Sequence, residues 1–161
     1  PMMYEAHSTD YQTPDALRNL VRDHFGLLKV GPGLTFAFRK AVFGLAMIEN
    51  ELRAKDERSN IIRVLDDAMV RCPDHWQKYY RGDEAEQAFK RKYSLSDRAR
   101  YYWVAPEVQA AFERLMKNLG EKVLPYSLLS QFVGRAGLNA AQVIEGSIDR
   151  VLVGYQRACS R

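Results

Sequence analysis

The first third of the chain carries two short apolar segments, and each is followed by a helical pattern. Residues 2–7 form the first segment, and Thr13-Pro14 then provides an N-cap and a first-turn proline for a helix. Residues 25–30 form the second segment, and a long apolar helix pattern covers residues 35–52. This order predicts β-α-β-α, in which the crossover helix makes the two strands parallel.

Two parallel strands constrain the fold severely. A parallel sheet is covered on both faces, and two strands alone do not form a stable sheet. No convincing strand pattern follows in the rest of the chain. We therefore expect missing strands, either because the chain is a segment of a longer protein or because a partner supplies them. The alternative is a small α+β domain with an unusual sheet.

From Ser59 onward every pattern is helical. Ser59 is expected to cap a helix that ends at Cys72-Pro73, and Ser94 or Ser96 is expected to cap a short one at residues 97–103. Further helices are predicted over residues 84–92, 106–119, 125–133 and 140–155, and residues 53–58 form the one plausible domain seam. The fold class is therefore α/β, but mostly helical.

Composition excludes several functional classes. The net charge is +4, and Lys and Arg are scattered among Asp and Glu, which argues against nucleic-acid binding. The longest apolar run, residues 41–48, is too short to span a membrane, and the N-terminus does not resemble a signal peptide. Cys72 and Cys159 show neither metal-ligand nor disulfide spacing. We expect a cytoplasmic protein.

A polar segment, residues 4–13, follows the first predicted strand. Because active sites of parallel α/β folds lie at the carboxyl ends of strands, this segment is a candidate site. His7 is a candidate metal ligand or acid–base group, and Asp10 could orient it. The alternative is a polar loop whose side chains only satisfy backbone donors.

A second candidate site is the turn after the second strand. Gly31 and Gly33 allow a tight turn, and Thr35 begins a helix whose free N–H groups and dipole favour a phosphate. Lys29 and Arg39 could add positive charge. The alternative is a plain strand–helix turn.

Two segments, residues 76–81 and 98–103, interleave aromatic side chains with Arg and Lys. Such clusters bind nucleic acid, form subunit interfaces or simply pack between helices, and all three interpretations stay open.

Several longer strings resemble one family. Residues 5–13, 20–25, 28–32, 76–82 and 93–98 are similar to the non-catalytic subunit of class II tagatose-1,6-bisphosphate aldolase. The resemblance covers essentially the whole chain, and family members are much longer. It implies that residues 1–53 are the last two βα units of a (β/α)8 TIM-type barrel and that residues 54–161 are a helical C-terminal extension.

The resemblance also implies an accessory role. The expected partner is a zinc-dependent catalytic subunit that cleaves tagatose 1,6-bisphosphate in galactitol or N-acetylgalactosamine breakdown. No cofactor is expected to be required, although His7 could bind zinc. The rival hypothesis is a phosphosugar-binding enzyme, an aldolase or a tagatose-6-phosphate kinase, with His7, Asp10 and Lys29 in its site. The chain lacks the Gly-x-x-x-x-Gly-Lys-Ser/Thr phosphate loop of many kinases.

A remoter similarity links the chain to the catalytic class II aldolases. His7 matches their zinc-binding histidine, and Lys29, Val30 and Thr35 match parts of their last-strand motif. However, residues 8–11 replace a glycine-rich stretch, while Gly31 and Phe36 stand where the family has Asn and Asp. These departures imply a barrel that kept its architecture and lost the full reaction.

Overall fold

The computed structural model describes residues 2–160 and begins with a two-stranded sheet. Strands β1 (Tyr4–Ala6) and β2 (Phe25–Leu28) are parallel, and helix α1 (Pro14–Arg22) connects them. The register pairs Tyr4 with Phe25 and Ala6 with Leu28, with an irregularity next to Tyr4. The prediction of two parallel strands joined by a crossover helix is confirmed, and both strands are shorter than expected.

Six further helices make up most of the chain, and two 3-10 turns, Pro73–His75 and Arg98–Tyr101, lie between them. The helices are α2 (Gly33–Leu52), α3 (Ile61–Arg71), α4 (Glu84–Tyr93), α5 (Pro106–Leu119), α6 (Tyr126–Phe132) and α7 (Ala140–Cys159). Within residues 2–160 no strand follows β2. The protein is therefore a mostly helical α/β protein with a small parallel sheet.

Several helix starts follow from capping residues. The Thr13 side chain accepts from the Ala16 amide at the start of α1, and Asp83 and Asn139 form capping boxes at α4 and α7. Ser59 is not the cap that we predicted for α3. Asn60 holds that position in a left-handed conformation, while the Ser59 hydroxyl donates to Glu49 and accepts from the Ile61 amide at 3.4 Å.

The serine prediction for residues 97–103 is also wrong. Asp97, at φ 44°, is the N-cap of the 3-10 turn there, and neither Ser94 nor Ser96 holds that position. Asp97 is drawn inward instead, because its carboxylate accepts from the buried Arg39 guanidinium, Nε to Oδ1, at 2.6 Å. Arg39 also donates to the Ser94 carbonyl at 2.9 Å. Removing one partner of such a buried pair typically costs about 3–5 kcal/mol.

Helix α2 is the centre of the hydrophobic core. Val42, Leu45 and Ile48 are fully buried on it, and α3, α5, α6 and α7 all pack against it. Gly44 lets α6 approach closely, since a Cβ there would lie 3.0 Å from the Phe132 carbonyl oxygen. One core cluster thus includes residues from both sides of the predicted domain boundary between residues 53 and 54. The division into two domains stays a prediction.

A buried carboxylate on α2 fixes the chain reversal before α3. Glu49 is 1% exposed and accepts from the Ser59 amide at 2.9 Å and from the Ser59 hydroxyl at 2.6 Å. The Asn118 side-chain amide donates to it at 2.6 Å. Both carboxylate oxygens are therefore satisfied, and α2, α3 and the end of α5 are tied together at one point.

The sheet is far less buried than the helical core. Met3 is 64% exposed, Tyr4 60% and Leu27 44%. Exposed apolar side chains on a parallel sheet indicate a surface that another element normally covers. Among residues 2–160, none of the helices is both long enough and apolar enough to cross a bilayer.

Candidate functional site

The loop that follows β1 is held in a defined shape. Ser8 and Tyr11 adopt left-handed conformations, at φ 52° and 62°. Between them Thr9 is buried, and both its amide and its hydroxyl donate to the Lys29 carbonyl at 3.2 Å. Because that hydroxyl has a single proton, it accepts at 2.8 Å from the Tyr155 hydroxyl of α7. The loop is therefore anchored to the second strand and to the last helix.

Asp10 occupies the turn that was predicted to hold a phosphate. Its Oδ2 accepts from the Gly31 amide at 2.8 Å, and its Oδ1 accepts from the Gly33 amide at 2.7 Å. Gly33 is the first residue of α2, and no nearby side chain caps that helix. Asp10 thus serves as a capping anion supplied from a distant part of the chain.

Both glycines of this turn are required for space. A Cβ at Gly31 would lie 2.5 Å from Oδ2 of Asp10, and a Cβ at Gly33 would lie 2.6 Å from Oδ1. Neither glycine has a positive φ, so their backbone conformation is open to other residues. The two glycines are therefore matched to the carboxylate that sits against them.

His7 and Lys29 meet at Glu5, which the sequence interpretation did not single out. Glu5 Oε2 lies 2.6 Å from Lys29 Nζ and 3.2 Å from His7 Nε2. The hydrogen bond from Lys29 and then that from His7 lower the pKa of Glu5. Because strand residues alternate in direction, Glu5 and His7 project from the same face, and this periodicity was the available signal.

The remaining predicted phosphate ligands point elsewhere. The Thr35 hydroxyl donates to the Pro32 carbonyl at 3.0 Å, within the first turn of α2. The predicted placement of Arg39 beside the turn is corrected, because its guanidinium is 3% exposed and donates to Asp97. It therefore does not lie at the Gly31–Gly33 turn. Phosphate binding at the two amides stays a prediction, and Asp10 would have to leave first.

Asp10 and His7 do not form the pair that we expected. The structure directs the Asp10 carboxylate to the amides of α2 and directs the His7 ring to Glu5. Within residues 2–160, no group of three His, Cys, Asp or Glu side chains is arranged to hold a metal ion. Zinc binding by His7 stays an untested expectation.

A cavity of about 220 Å³ lies behind the loop. Asp10, Gly33 and Leu17 line one side, and Gly154 and Tyr155 of α7 line the other. Burial raises the pKa of Tyr155, while its hydrogen bond with Thr9 opposes the shift. Of the polar groups in the cavity, Thr9 and Tyr155 bond to each other, and Asp10 bonds to the amides of Gly31 and Gly33.

The aromatic and basic segments at residues 76–81 and 98–103 mainly pack. Trp76, Tyr80 and Tyr102 are buried, and the Trp76 indole donates to the Met69 carbonyl at 2.6 Å. Tyr79 is exposed at the edge of this cluster, and the Arg98 guanidinium lies 3.1 Å from the centre of its ring. The packing interpretation is therefore confirmed for the three buried rings.

Together, the fold and the loop define an α/β protein that begins with a parallel β-α-β-α unit. Hydrogen bonds within the chain hold the loops at the carboxyl ends of its two strands. Comparison with known proteins assigns the family. The model of the D-tagatose-1,6-bisphosphate aldolase subunit GatZ/KbaZ-like family matches residues 1–160. The chain belongs to this family, as the sequence resemblance predicted.

Individual relatives agree with this assignment. The chain is 47% identical, over 169 residues, to the D-tagatose-1,6-bisphosphate aldolase subunit GatZ of Klebsiella pneumoniae, covering 99% of this chain and 40% of that protein. It is 51% identical to the GatZ subunit of Salmonella paratyphi B over 133 residues, or 83% of this chain and 31% of that one. The chain therefore spans well under half the length of these relatives.

A solved structure has the same fold over this region. The crystal structure of a probable tagatose 6 phosphate kinase from Sinorhizobium meliloti 1021 superposes with a TM-score of 0.89 and 43% sequence identity. The match covers 98% of this chain and 43% of that one.

The contact between Asp10 and Gly33 generates a mutational prediction. We expect Gly33→Ala to destabilise the protein by about 2 kcal/mol, because the new Cβ displaces a carboxylate that accepts a charge-assisted hydrogen bond. Chemical denaturation measures this cost. Gly154→Ala is the matched control, since nothing lies within 4 Å of a Cβ there.

A double-mutant cycle makes the test specific to Asp10. In an Asp10→Ala background, Gly33→Ala should cost little, because the colliding carboxylate is gone. An equal cost in both backgrounds would contradict the pairing of Asp10 with Gly33.

Tyr11 generates a prediction about alkaline pH. Burial, followed by the charges of Asp10 and Asp97, raises the pKa of Tyr11 to about 12. An unfolded tyrosine ionises near pH 10. Since the folded pKa is the higher one, the stabilisation is fully present below about pH 10 and is lost as the pH rises towards about 12. Urea unfolding across this window should show wild type losing stability relative to Tyr11→Phe.

The phenylalanine variant loses the hydrogen bond from the Tyr11 hydroxyl to the Leu95 carbonyl at every pH, so only the pH-dependent difference is diagnostic. Raised pKa values at Tyr102 and Tyr155 act equally in both proteins and cancel. Parallel stability curves for the two proteins would show that Tyr11 ionises normally.

Proposed function

We propose that this chain is part of an accessory, non-catalytic subunit that supports the activity and stability of a zinc-dependent tagatose-1,6-bisphosphate aldolase. The pathway would be galactitol or N-acetylgalactosamine breakdown. The observation that carries the proposal is the carboxylate of Asp10 on the amides of Gly31 and Gly33. An internal anion at the turn where a phosphate was expected favours a supporting role over phosphosugar chemistry.

The names of relatives support the same role. The Klebsiella and Salmonella proteins are both described as subunits of the aldolase, which implies a separate catalytic partner. The rival function, a phosphosugar enzyme, is favoured by the name of the superposing structure, a probable tagatose 6 phosphate kinase. In this chain, His7 and Lys29 are bonded to Glu5. For the rival function, these side chains would have to rearrange.

We further propose that β1 and β2 are the last two strands of a (β/α)8 barrel, with residues from about 54 onward as its helical extension. The parallel pairing and the exposed Met3, Tyr4 and Leu27 support this proposal. So does the length of the relatives, of which the chain spans 40% or less in these two alignments. The missing strands would cover the exposed side of the sheet.

Hydrogen exchange tests the barrel proposal. In the 161-residue chain, amides of β1 and β2 should exchange readily, because few buried contacts hold the sheet. In a longer protein that includes preceding family sequence, the same amides should be protected at least about tenfold more. The buried centre of α2 serves as the control and should be protected in both. Strand amides as slow as those of α2 in the short chain would argue against missing strands.

A cleavage assay tests the accessory function. The purified catalytic subunit is assayed on tagatose 1,6-bisphosphate alone and together with the longer protein that contains this chain, and that protein is also assayed alone. We expect the longer protein to be inert and to increase the rate or lifetime of its partner. Cleavage by the longer protein unaided would refute the accessory role.

His7→Ala in the longer protein separates the two functions further. A supporting subunit should keep its effect on the partner, because His7 is exposed and, within residues 2–160, its ring forms a hydrogen bond with Glu5 only. An enzyme that uses His7 should lose most of its turnover. Asp10→Asn is the companion variant, since it keeps the size of the side chain but removes its charge from the turn.

A further inference from the structure

An open groove rich in arginine lies between α1 and α7, next to the cavity behind the loop, with which it shares Pro14, Arg150 and Gly154. Its volume is about 560 Å³, and its side chains come from α1, from α7 and from the loop before α7. The basic residues that line it are Arg18, Arg135, Arg150 and Arg157, and the one acidic residue is Asp149. We call it the arginine groove.

Carboxylates balance the positive charge of the groove only in part, since Arg18 pairs with Asp15 and Asp149 is the one acidic lining residue. Arg135 Nη1 and Arg150 Nε both donate to the same acceptor, the Gly146 carbonyl, at 3.3 Å each. Two guanidinium groups that converge on one oxygen repel each other. Within residues 2–160, no carboxylate lies within ion-pairing distance of Arg135, Arg150 or Arg157. An external group with negative charge would relieve this repulsion.

The backbone of α7 is shaped to leave this surface open. A Cβ at Gly146 would collide with the Arg135 guanidinium, so glycine lets that side chain lie against the helix. Gly154, further along α7, also lacks a side chain, and nothing lies within 4 Å of a Cβ placed there. Val153 contributes an apolar surface between the arginines.

The groove is long rather than compact. Gly146, Arg150, Val153 and Arg157 follow one another at spacings of four, three and four residues, which places them on one face of α7 over about 16 Å. A single phosphate is too small to meet charges spread over this length. A polypeptide segment with several carboxylates matches both the length and the charge, and arginine is a favoured residue at such interfaces.

We propose that the arginine groove docks an acidic segment of the catalytic aldolase subunit. This inference rests on the proposed accessory function, because that function supplies the partner. It adds the surface and the chemistry of recognition: carboxylates of the partner pair with Arg135, Arg150 and Arg157, and an apolar side chain of the same segment meets Val153.

The test measures binding of the purified catalytic subunit to the longer protein that contains this chain, by calorimetry. Arg150→Glu with Arg157→Glu reverses two charges in the groove. The matched control is Lys55→Glu with Arg63→Glu, which reverses two exposed charges elsewhere. Thermal unfolding verifies that each variant is folded, and the milder Arg150→Gln with Arg157→Gln replaces the reversal if folding fails.

We expect the groove variant to bind at least about tenfold more weakly while the control binds like wild type. The difference should narrow as ionic strength rises from about 0.01 M to about 0.15 M, where the screening length falls from about 30 Å to about 8 Å. Equal affinity of the groove variant and wild type would overturn the docking inference and leave the accessory function intact.

Two other results would also be decisive. Failure of the wild-type protein to bind the catalytic subunit would overturn the accessory function and the docking inference together. If inorganic phosphate binds to wild type but not to the groove variant, and does not change binding of the partner, the groove is a phosphate site instead.

Discussion

Burial of helix α2 is the constraint on which the rest of the structure depends. Its apolar side chains cover most of its circumference, so it has to be surrounded, and four later helices surround it. Two charged side chains, Arg39 and Glu49, are buried on the same helix. Each is tolerated because its polar atoms find partners in the chain that follows, at Asp97 and at Ser59 and Asn118. These bonds fix how the later helices lie against α2.

The end of the sheet depends on α2 in a different way. Asp10 carries a negative charge to the positive end of the α2 dipole and satisfies two amides there. A free phosphate would make similar bonds, but it would also be released, whereas a side chain stays. A permanent internal anion of this kind keeps the loop after β1 in one shape.

Much of the architecture could be predicted because local signals agreed with the final packing. Thr13-Pro14 is a local signal, and the helix that it begins forms as expected. The parallel arrangement followed from chain order alone. Ser59 lies one residue before the actual N-cap, because the buried Glu49 carboxylate holds both its amide and its hydroxyl, and a tertiary contact of this kind leaves no trace in local sequence.

The candidate site was predictable in part. His7, Asp10, Lys29 and the two glycines do lie together at the strand ends, as the α/β rule implies. Their partners were not predictable, because Gly31 and Gly33 lie 21 and 23 residues after Asp10 in the sequence. Arg39 does not reach the turn because it lies six residues, or about 9 Å along the axis, beyond the first residue of α2, and Asp97 holds its guanidinium.

The fit between Asp10 and the two glycines also has an evolutionary consequence. As long as the carboxylate is present, almost any side chain at Gly31 or Gly33 collides with it, although the backbone would accept one. Loss of the carboxylate would remove the collision and leave two amides open to a solvent anion. Within the family, these three positions should therefore vary as a unit, and a lineage that replaces Asp10 by a small residue could recover an anion site at the same turn.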